Sequence, residues 1–375
     1  MVDVVFPFGS MARGEDVVDR ESYIREMVMR MEDGQSAVIA GPRRIGKSSV
    51  GREILRQAQV RGQYVASVDL FSANSTDTLA SFLMQSILEN RVGRIRRGVR
   101  SLAGLRRLVG TPDIKAKMGD LEIGLNWSEG KSTGEDELLR ALAVAEEIAA
   151  RGGRRMVILL DEFQDIERLG GLALLKRLRA VMQAQQHTVF LFLGSQPSLM
   201  KMLFASQSQA FYRFATFCPL PAVPSDAWVG YIGKKLAEQN MTVTPAALGL
   251  MLEKTGGHPY CVMGVVYHSY LMAKGAGLGR VDADIAVAAD ARMMDHLSGI
   301  YEQQWLEVRR AAHADAVCLA VSEQKPPYSL DVPRSSVGKA LNHLLDLGLI
   351  EKRSVRGDYV LVEPMFGRWL RERFS

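Results

Sequence analysis

Short apolar runs alternate along the chain with stretches whose apolar residues recur at three- and four-residue steps. Ile24, Met27, Val28 and Met31 predict a helix over 20–31, which Asp33-Gly34 breaks. Buried strands are predicted at 36–40, 64–70, 156–160, 188–193 and 215–220, from apolar runs too short for helices. Helices are predicted between them at 47–61, 79–88, 136–150 and 172–185. Strands alternating with helices imply an α/β fold with a parallel sheet covered on both faces. After Pro224 the pattern changes. Helices at 225–239, 244–255 and 259–273 are predicted with no strand between them, as a small helical domain. A last unit begins near 295, with a helix at 335–347, a strand at 349–353, a return strand at 359–362 and a helix at 366–373. That order describes a winged helix-turn-helix. The expected domains are 1–224, 225–294 and 295–375.

Between β-strand predictions two and three, 90–132 reads as an insertion. Val92, Ile95, Val99, Leu102 and Leu105 keep helical register, with Arg94, Arg97 and Arg100 on other sides. Residues 115–131 read as a hairpin. Charge sharpens this picture. The net charge is +5, yet 91–117 holds nine basic residues against the single acid Asp113. That segment carries +8, so the remainder sums to −3. An anionic partner is therefore expected there first. No apolar run approaches the ~20 residues of a membrane span, and no secretory signal is visible at the N-terminus. Three scattered cysteines have neither metal-ligand spacing nor an even disulfide set. A reduced, cytoplasmic setting is expected.

The candidate chemistry begins at Gly41, Pro42, Arg43, Arg44, Ile45, Gly46, Lys47 and Ser48, with Ser49 next. This is the GxxxxGK[ST] pattern between a strand and a helix. Glycines let backbone N–H groups curl around phosphates, Lys47 supplies a point charge, and the Ser48 hydroxyl can ligate Mg²⁺. The following helix adds its positive N-terminal dipole. Asp161-Glu162 closes a buried strand, where an acid faces the ligand crevice of a parallel sheet. Asp161 is expected to hold hydrated Mg²⁺ and Glu162 to polarise the attacking water. Ser195 and Gln196 either orient that water or sense the γ-phosphate, or else form a polar turn before Pro197. Arg213 is either a surface residue or an arginine finger, acting in cis or on a neighbouring subunit. His258, with Pro259 after it, either caps a helix or senses nucleotide.

Together, FPFGSMARGEDVVDRE, GPRRIGKSS, ILLDEFQ, LGSQPSLM, AFYRFATFCPL and TGGHPY resemble the archaeal-type ATPases. These are P-loop proteins of the STAND branch, near the AAA+ ATPases and the Orc1/Cdc6 initiators. The resemblance implies an ATP- and Mg²⁺-binding core with a five-stranded sheet, a helical lid and a winged helix, acting as a nucleotide-dependent switch. It also implies that Arg20, in the Asp19-Arg20-Glu21 arm, lies near the base. Arg213 stands where relatives carry an arginine, and His258 and Pro259 where they contact nucleotide from the lid. Two departures are visible: Tyr212 where the family writes Gly, and Ser48 where Thr is commoner.

Two outputs are open. A DNA-engaging switch would place the 335–347 helix in the major groove through Lys339 and Asn342, and the wing residues Lys352, Arg353 and Arg356 on phosphates, beside Arg94, Arg97 and Arg100. Alternatively the output is a protein partner or a homo-oligomer. Residues 302–375 carry eleven basic and ten acidic side chains, weak electrostatic footing for a DNA-binding winged helix, so the basic helix after Asn90 is the stronger candidate for an anionic partner.

Overall fold

The computed structural model describes residues 4–92, 133–352 and 358–374. The predicted basic helix with Arg94, Arg97 and Arg100, the 115–131 hairpin, and the wing residues Arg353 and Arg356 lie outside the described residues. The chain divides into two compact units. One comprises Glu21–Gly41 and Val50–Leu220; the other comprises Met1–Arg20, Pro42–Ser49 and Pro221–Ser375.

The first unit is a parallel five-stranded sheet. Its strands are β1 (Ala37–Ala40), β2 (Tyr64–Asp69), β3 (Met156–Asp161), β4 (Thr188–Gly194) and β5 (Thr216–Phe217), in spatial order β2-β3-β4-β1-β5. Helices α1 (Glu21–Glu32), α2 (Lys47–Val60), α3 (Thr76–Val92), α4 (Gly134–Gly152), α5 (Ile166–Ala184) and α6 (Pro197–Ala205) accompany it. Every residue of β3 and β4 is buried, as their unbroken apolar runs require of central strands. Register aligns the carboxyl ends: Asp69 faces Asp161, Ala40 faces Gly194, and the Gly41 amide donates to the Gly194 carbonyl at 3.2 Å. At Gly51 a Cβ would come within 2.7 Å of both Leu159 Cδ1 and Leu193 Cδ1, so α2 lies close on the sheet.

Differences from the sequence prediction have local causes. Strand β5 is two residues long rather than six, because Pro219 and Pro221 lack the N–H a ladder needs; its last rung is Cys218 N to Val38 O at 2.8 Å. Helix α5 starts at Ile166, six residues early, and is interrupted at Gly171 (φ +58°, ψ −156°). Helix α6, absent from the prediction, follows the Gln196-Pro197 step, with proline at the N-terminal position that needs no N–H.

The second unit is helical. Helices α7 (Ser225–Ala237), α8 (Pro245–Thr255), α9 (Pro259–Gly275) and α10 (Ala283–Val308) are followed by α11 (Ala314–Ser322), α12 (Arg334–Asp346) and α13 (Pro364–Phe374). The expectation of no strand among these helices is corrected. Short strands β6 (Thr242–Val243) and β7 (Arg280–Val281) pair in parallel, too short for alternation to reveal. Strands β8 (Ile350–Lys352) and β9 (Tyr359–Leu361) form an antiparallel pair between α12 and α13. Helix α10 runs unbroken through position 295. Its buried Ala289, Met293, Leu297, Tyr301 and Trp305 share one core with α9 and α13 residues such as Val265, Phe366 and Leu370. The N-terminal arm belongs to this core too. Phe6 is 1% exposed and meets Tyr231 and Tyr270 edge-on, while Asp16 accepts from Tyr231 (2.7 Å) and pairs with Lys235 (3.0 Å).

Candidate functional site

The glycine loop leaves the carboxyl end of β1 and ends as α2 begins at Lys47. Two loop residues are left-handed, Arg44 at φ +67° and Gly46 at φ +95°. At Gly46 nothing lies within 4 Å of where a Cβ would sit, so the backbone is open on that side. Successive amides in such a turn form a concave anion nest. Lys47 is buried, and its ammonium donates to the Pro42 carbonyl across the loop. Pro42 is buried, Ser48 and Ser49 are half-buried, and Arg43 and Arg44 are exposed.

The turn before α9 lies in the same unit as the loop. Gly256 and Gly257 both take positive φ, and the Trp228 indole donates to the Gly257 carbonyl at 3.1 Å. His258 follows as the cap of α9, with Pro259 in its first turn. His258 is 6% exposed, and among the described residues neither ring nitrogen has a hydrogen-bond partner. Burial, helped by the charges of Arg44 and Lys47, lowers its pKa to about 4. A neutral imidazole has one donor and one acceptor nitrogen, and both are left unanswered here. Arg20 is also buried, with Nη1 3.5 Å from the Ala222 carbonyl, directly after Asp19 at φ +52°.

On the sheet, Asp161 ends β3 and is 7% exposed. Glu162 sits in left-handed backbone (φ +51°, ψ +47°), a strained state for a residue with a side chain. Its Oε2 accepts from Ser195 Oγ at 2.6 Å, Ser195 N at 3.1 Å and Gln164 Nε2 at 2.6 Å. Ser195 stands just past the end of β4, so two strands converge on one carboxylate oxygen. Gln164 closes the ILLDEFQ motif of the sequence without a role of its own there, and Asp69 is not among the residues the sequence singles out. Asp69 ends β2 as Asp161 ends β3, and that shared signal was available to find it. Burial raises its pKa, and the neighbouring carboxylates Asp161, Glu162 and Asp165 add to the rise.

Arg213 lies elsewhere. It is exposed and left-handed (φ +55°), its guanidinium carbon 5.1 Å from the Tyr212 ring centroid. With Ser36, Thr188 and Thr216, at the amino ends of β1, β4 and β5, it lines a cavity of about 500 Å³. Glu162 and Ser195 lie at the carboxyl ends. The seven residues of β4 separate the two edges, roughly 20 Å at about 3.3 Å per residue. Arg213 and the Glu162 carboxylate therefore stand at opposite edges of the sheet.

Several solved structures share this fold. A Walker-type ATPase of Pyrococcus abyssi aligns with a TM-score of 0.70 at 18% identity, covering 96% of this chain and 97% of that one. The Aeropyrum pernix ORC2 protein, in ADPNP–ADP complexes, aligns with a TM-score of 0.59 at 16% identity, covering 94% and 92%. The ORC1 protein of Aeropyrum pernix, solved in complex with DNA, aligns with a TM-score of 0.51 at 17% identity, covering 96% and 94%. No curated protein matches by sequence. Residues 17–263, the greater part of the chain and the stretch that holds both the glycine loop and Glu162, match the family described as an ATPase domain predominantly from Archaea; the chain belongs to that family of P-loop ATPases.

Proposed function

We propose that this ATPase is a magnesium-dependent molecular switch whose hydrolytic step runs through Glu162 and whose output is the engagement of DNA. One arrangement carries the hydrolytic part. Glu162 is strained at the backbone and fixed at Oε2 by Ser195 and Gln164, on the sheet edge where β1 ends and the glycine loop begins. The loop from Gly41 to Ser49 binds the phosphates through its amides, and Lys47 adds its ammonium. Ser48 and Asp161 would hold Mg²⁺, which when bound neutralises charge on the phosphates. Glu162 orients the attacking water and takes its proton on the carboxylate, while Ser195 keeps that carboxylate in place. His258, Pro259 and Arg20 complete the nucleotide contacts.

The DNA output draws support from the C-terminal elements. Helices α11 and α12, the β8–β9 pair and α13 follow the order of a winged helix. On α12, Val337, Ala340, Leu341 and Leu344 are buried, whereas Lys339 and Asn342 are exposed, as is Lys352 on β8. The likeness to a fold solved with DNA bound points the same way. Arg94, Arg97, Arg100 and Arg353 supply further positive charge. A protein partner or self-assembly is the second reading, favoured by the balance of eleven basic against ten acidic residues over 302–375.

The experiment is ATP turnover by the purified protein with and without duplex DNA, across a salt series, with mass followed by light scattering. Lys47→Ala is expected to lose nucleotide binding. Glu162→Gln is expected to keep it and lose turnover by roughly 10²-fold or more. DNA affinity should fall steeply with salt and disappear on combined substitution of Arg94, Arg97 and Arg100. Parent-like turnover by Glu162→Gln removes it as the base. No DNA binding at low salt removes the DNA output and leaves the protein partner.

A further inference from the structure

Several contacts of the helical unit meet at the turn that carries His258. The Arg44 guanidinium carbon stands 4.3 Å from the centroid of the Tyr260 ring. Arg44 is exposed and its backbone left-handed, so neither burial nor regular structure fixes the side chain; the ring contact does. Tyr260 is itself braced by Phe8 of the N-terminal arm, at 5.1 Å between centroids. The next residue, Cys261, is fully buried, and its thiol donates to Glu363 Oε1 at 3.7 Å. Burial, reinforced by the Glu363 charge, pushes that thiol well above its ordinary pKa, so it stays a donor. The Tyr301 hydroxyl donates to the same oxygen. Glu363 directly precedes α13, and Pro364, which opens that helix, packs against the turn. A Cβ on Gly256 would come within 2.7 Å of Pro364 Cγ.

We propose that Tyr260 is a positioning residue for Arg44 in nucleotide binding, and that the Cys261–Glu363 contact passes the state of the phosphate loop to the start of α13. The inference rests on the reading of Gly41 to Ser48 as the phosphate grip. An arginine stacked on a ring has already lost much of its rotamer freedom, so its fork can donate to a phosphate oxygen at little further ordering cost. Phosphate binding then holds the guanidinium over the ring and stiffens the turn. Because that turn is tied to Glu363 and Pro364, the stiffening extends to the joint between β9 and α13. Neither Tyr260 nor Glu363 contacts the reacting atoms; both act through Arg44.

The test measures Mg-ADP affinity by calorimetry on the full chain, together with hydrogen exchange over 359–366. Tyr260→Phe keeps the ring and is expected to bind within about twofold of the parent. Tyr260→Leu is expected to bind about tenfold more weakly, the scale of one cation–π contact. The double variant Arg44→Ala/Tyr260→Leu should bind no more weakly than Arg44→Ala alone. In the parent Mg-ADP should slow exchange over 359–366, and in Tyr260→Leu it should not. Arg44→Ala breaks the same contact from the exposed side, which guards against a folding defect at the half-buried Tyr260. Parent-like affinity in Tyr260→Leu overturns the positioning role, as do fully additive losses in the double variant. Unchanged exchange on adding Mg-ADP to the parent overturns the coupling to α13. Lys47→Ala separates the two levels. If it binds Mg-ADP like the parent, the phosphate-grip reading itself fails; if it loses binding while Tyr260→Leu does not, only the present inference fails.

Discussion

Ser195 holds Glu162 by a single oxygen: its hydroxyl at 2.6 Å and its own backbone amide at 3.1 Å both donate to Oε2. The amide is part of the chain and survives any substitution except proline, whereas the hydroxyl can be removed. Ser195→Ala should therefore loosen the carboxylate without releasing it. A hydrogen bond to a charged group contributes about 1.5–3 kcal/mol, so kcat is expected to fall about 10- to 100-fold with ATP affinity nearly unchanged. Steady-state hydrolysis over an ATP series checks this. A rise in KM at constant kcat would instead make Ser195 a binding residue.

The strands and helices of the sheet were legible because burial writes itself into composition. The unbroken apolar runs of β3 and β4 hold the two fully buried strands, and α1 buries Ile24, Met27, Val28 and Met31, the residues that predicted it. What escaped was too short or too local for a periodic signal. Strands β6 and β7 have two residues each, and α6 starts directly behind a Gln-Pro step that reads as a turn. At the site, the glycine loop and Asp161-Glu162 were visible as linear patterns. The contacts of Gln164 with Glu162 and of Asp69 with Asp161 were not, because they are made by a strained backbone turn and by register between strands. The placement of Arg213 at the amino edge follows from the parallel sheet and from its position just before β5, both of which the alternation of strands and helices already implied.

His258 should make stability depend on pH in a defined window. Its folded-state pKa is lowered to about 4 by burial and by Arg44 and Lys47, against an unfolded value of about 6.5. Between those values the unfolded chain binds the proton and the folded chain does not, so unfolding free energy rises with pH. The contribution is fully present above about pH 6.5 and is lost as pH falls toward 4. A difference of that size corresponds to about 3 kcal/mol. Urea titrations of the parent and of His258→Leu at pH 7 and pH 4 check it. The parent should lose more stability than the variant on acidification, and parallel losses would refute the assignment.

Gly51 leaves no room for a side chain beneath α2. In Gly51→Ala the new methyl would meet Leu159 Cδ1 and Leu193 Cδ1 at 2.7 Å, closer than carbon atoms pack. Both neighbours are fully buried in central strands and have little freedom to yield. Overpacking of this kind costs about 1–3 kcal/mol. A lowered thermal midpoint by calorimetry is expected, with weaker ATP binding because α2 carries Lys47 and Ser48 at its start. A variant as stable as the parent would mean that α2 lifts off the sheet without cost.

Arg213 and Glu162 sit at opposite edges of one sheet, which favours a role of Arg213 on another copy of the chain over one on its own. That converts an ambiguity of the sequence into a complementation experiment. Arg213→Ala retains its own glycine loop and Glu162 and should bind ATP with parental affinity. Its turnover should fall, by up to 10³-fold if the guanidinium acts as an arginine finger. Glu162→Gln retains Arg213 but lacks the base. Each variant alone should be nearly inactive, whereas a mixture should recover a measurable fraction of parental turnover, increasing with total protein concentration. In that mixture the working site combines Glu162 of the Arg213→Ala chain with Arg213 of the Glu162→Gln chain. If the mixture is no more active than its components, Arg213 does not act on another copy; if Arg213→Ala alone turns over ATP at the parental rate at every concentration, Arg213 has no part in hydrolysis and is a surface residue beside the Ser36–Thr216 cavity.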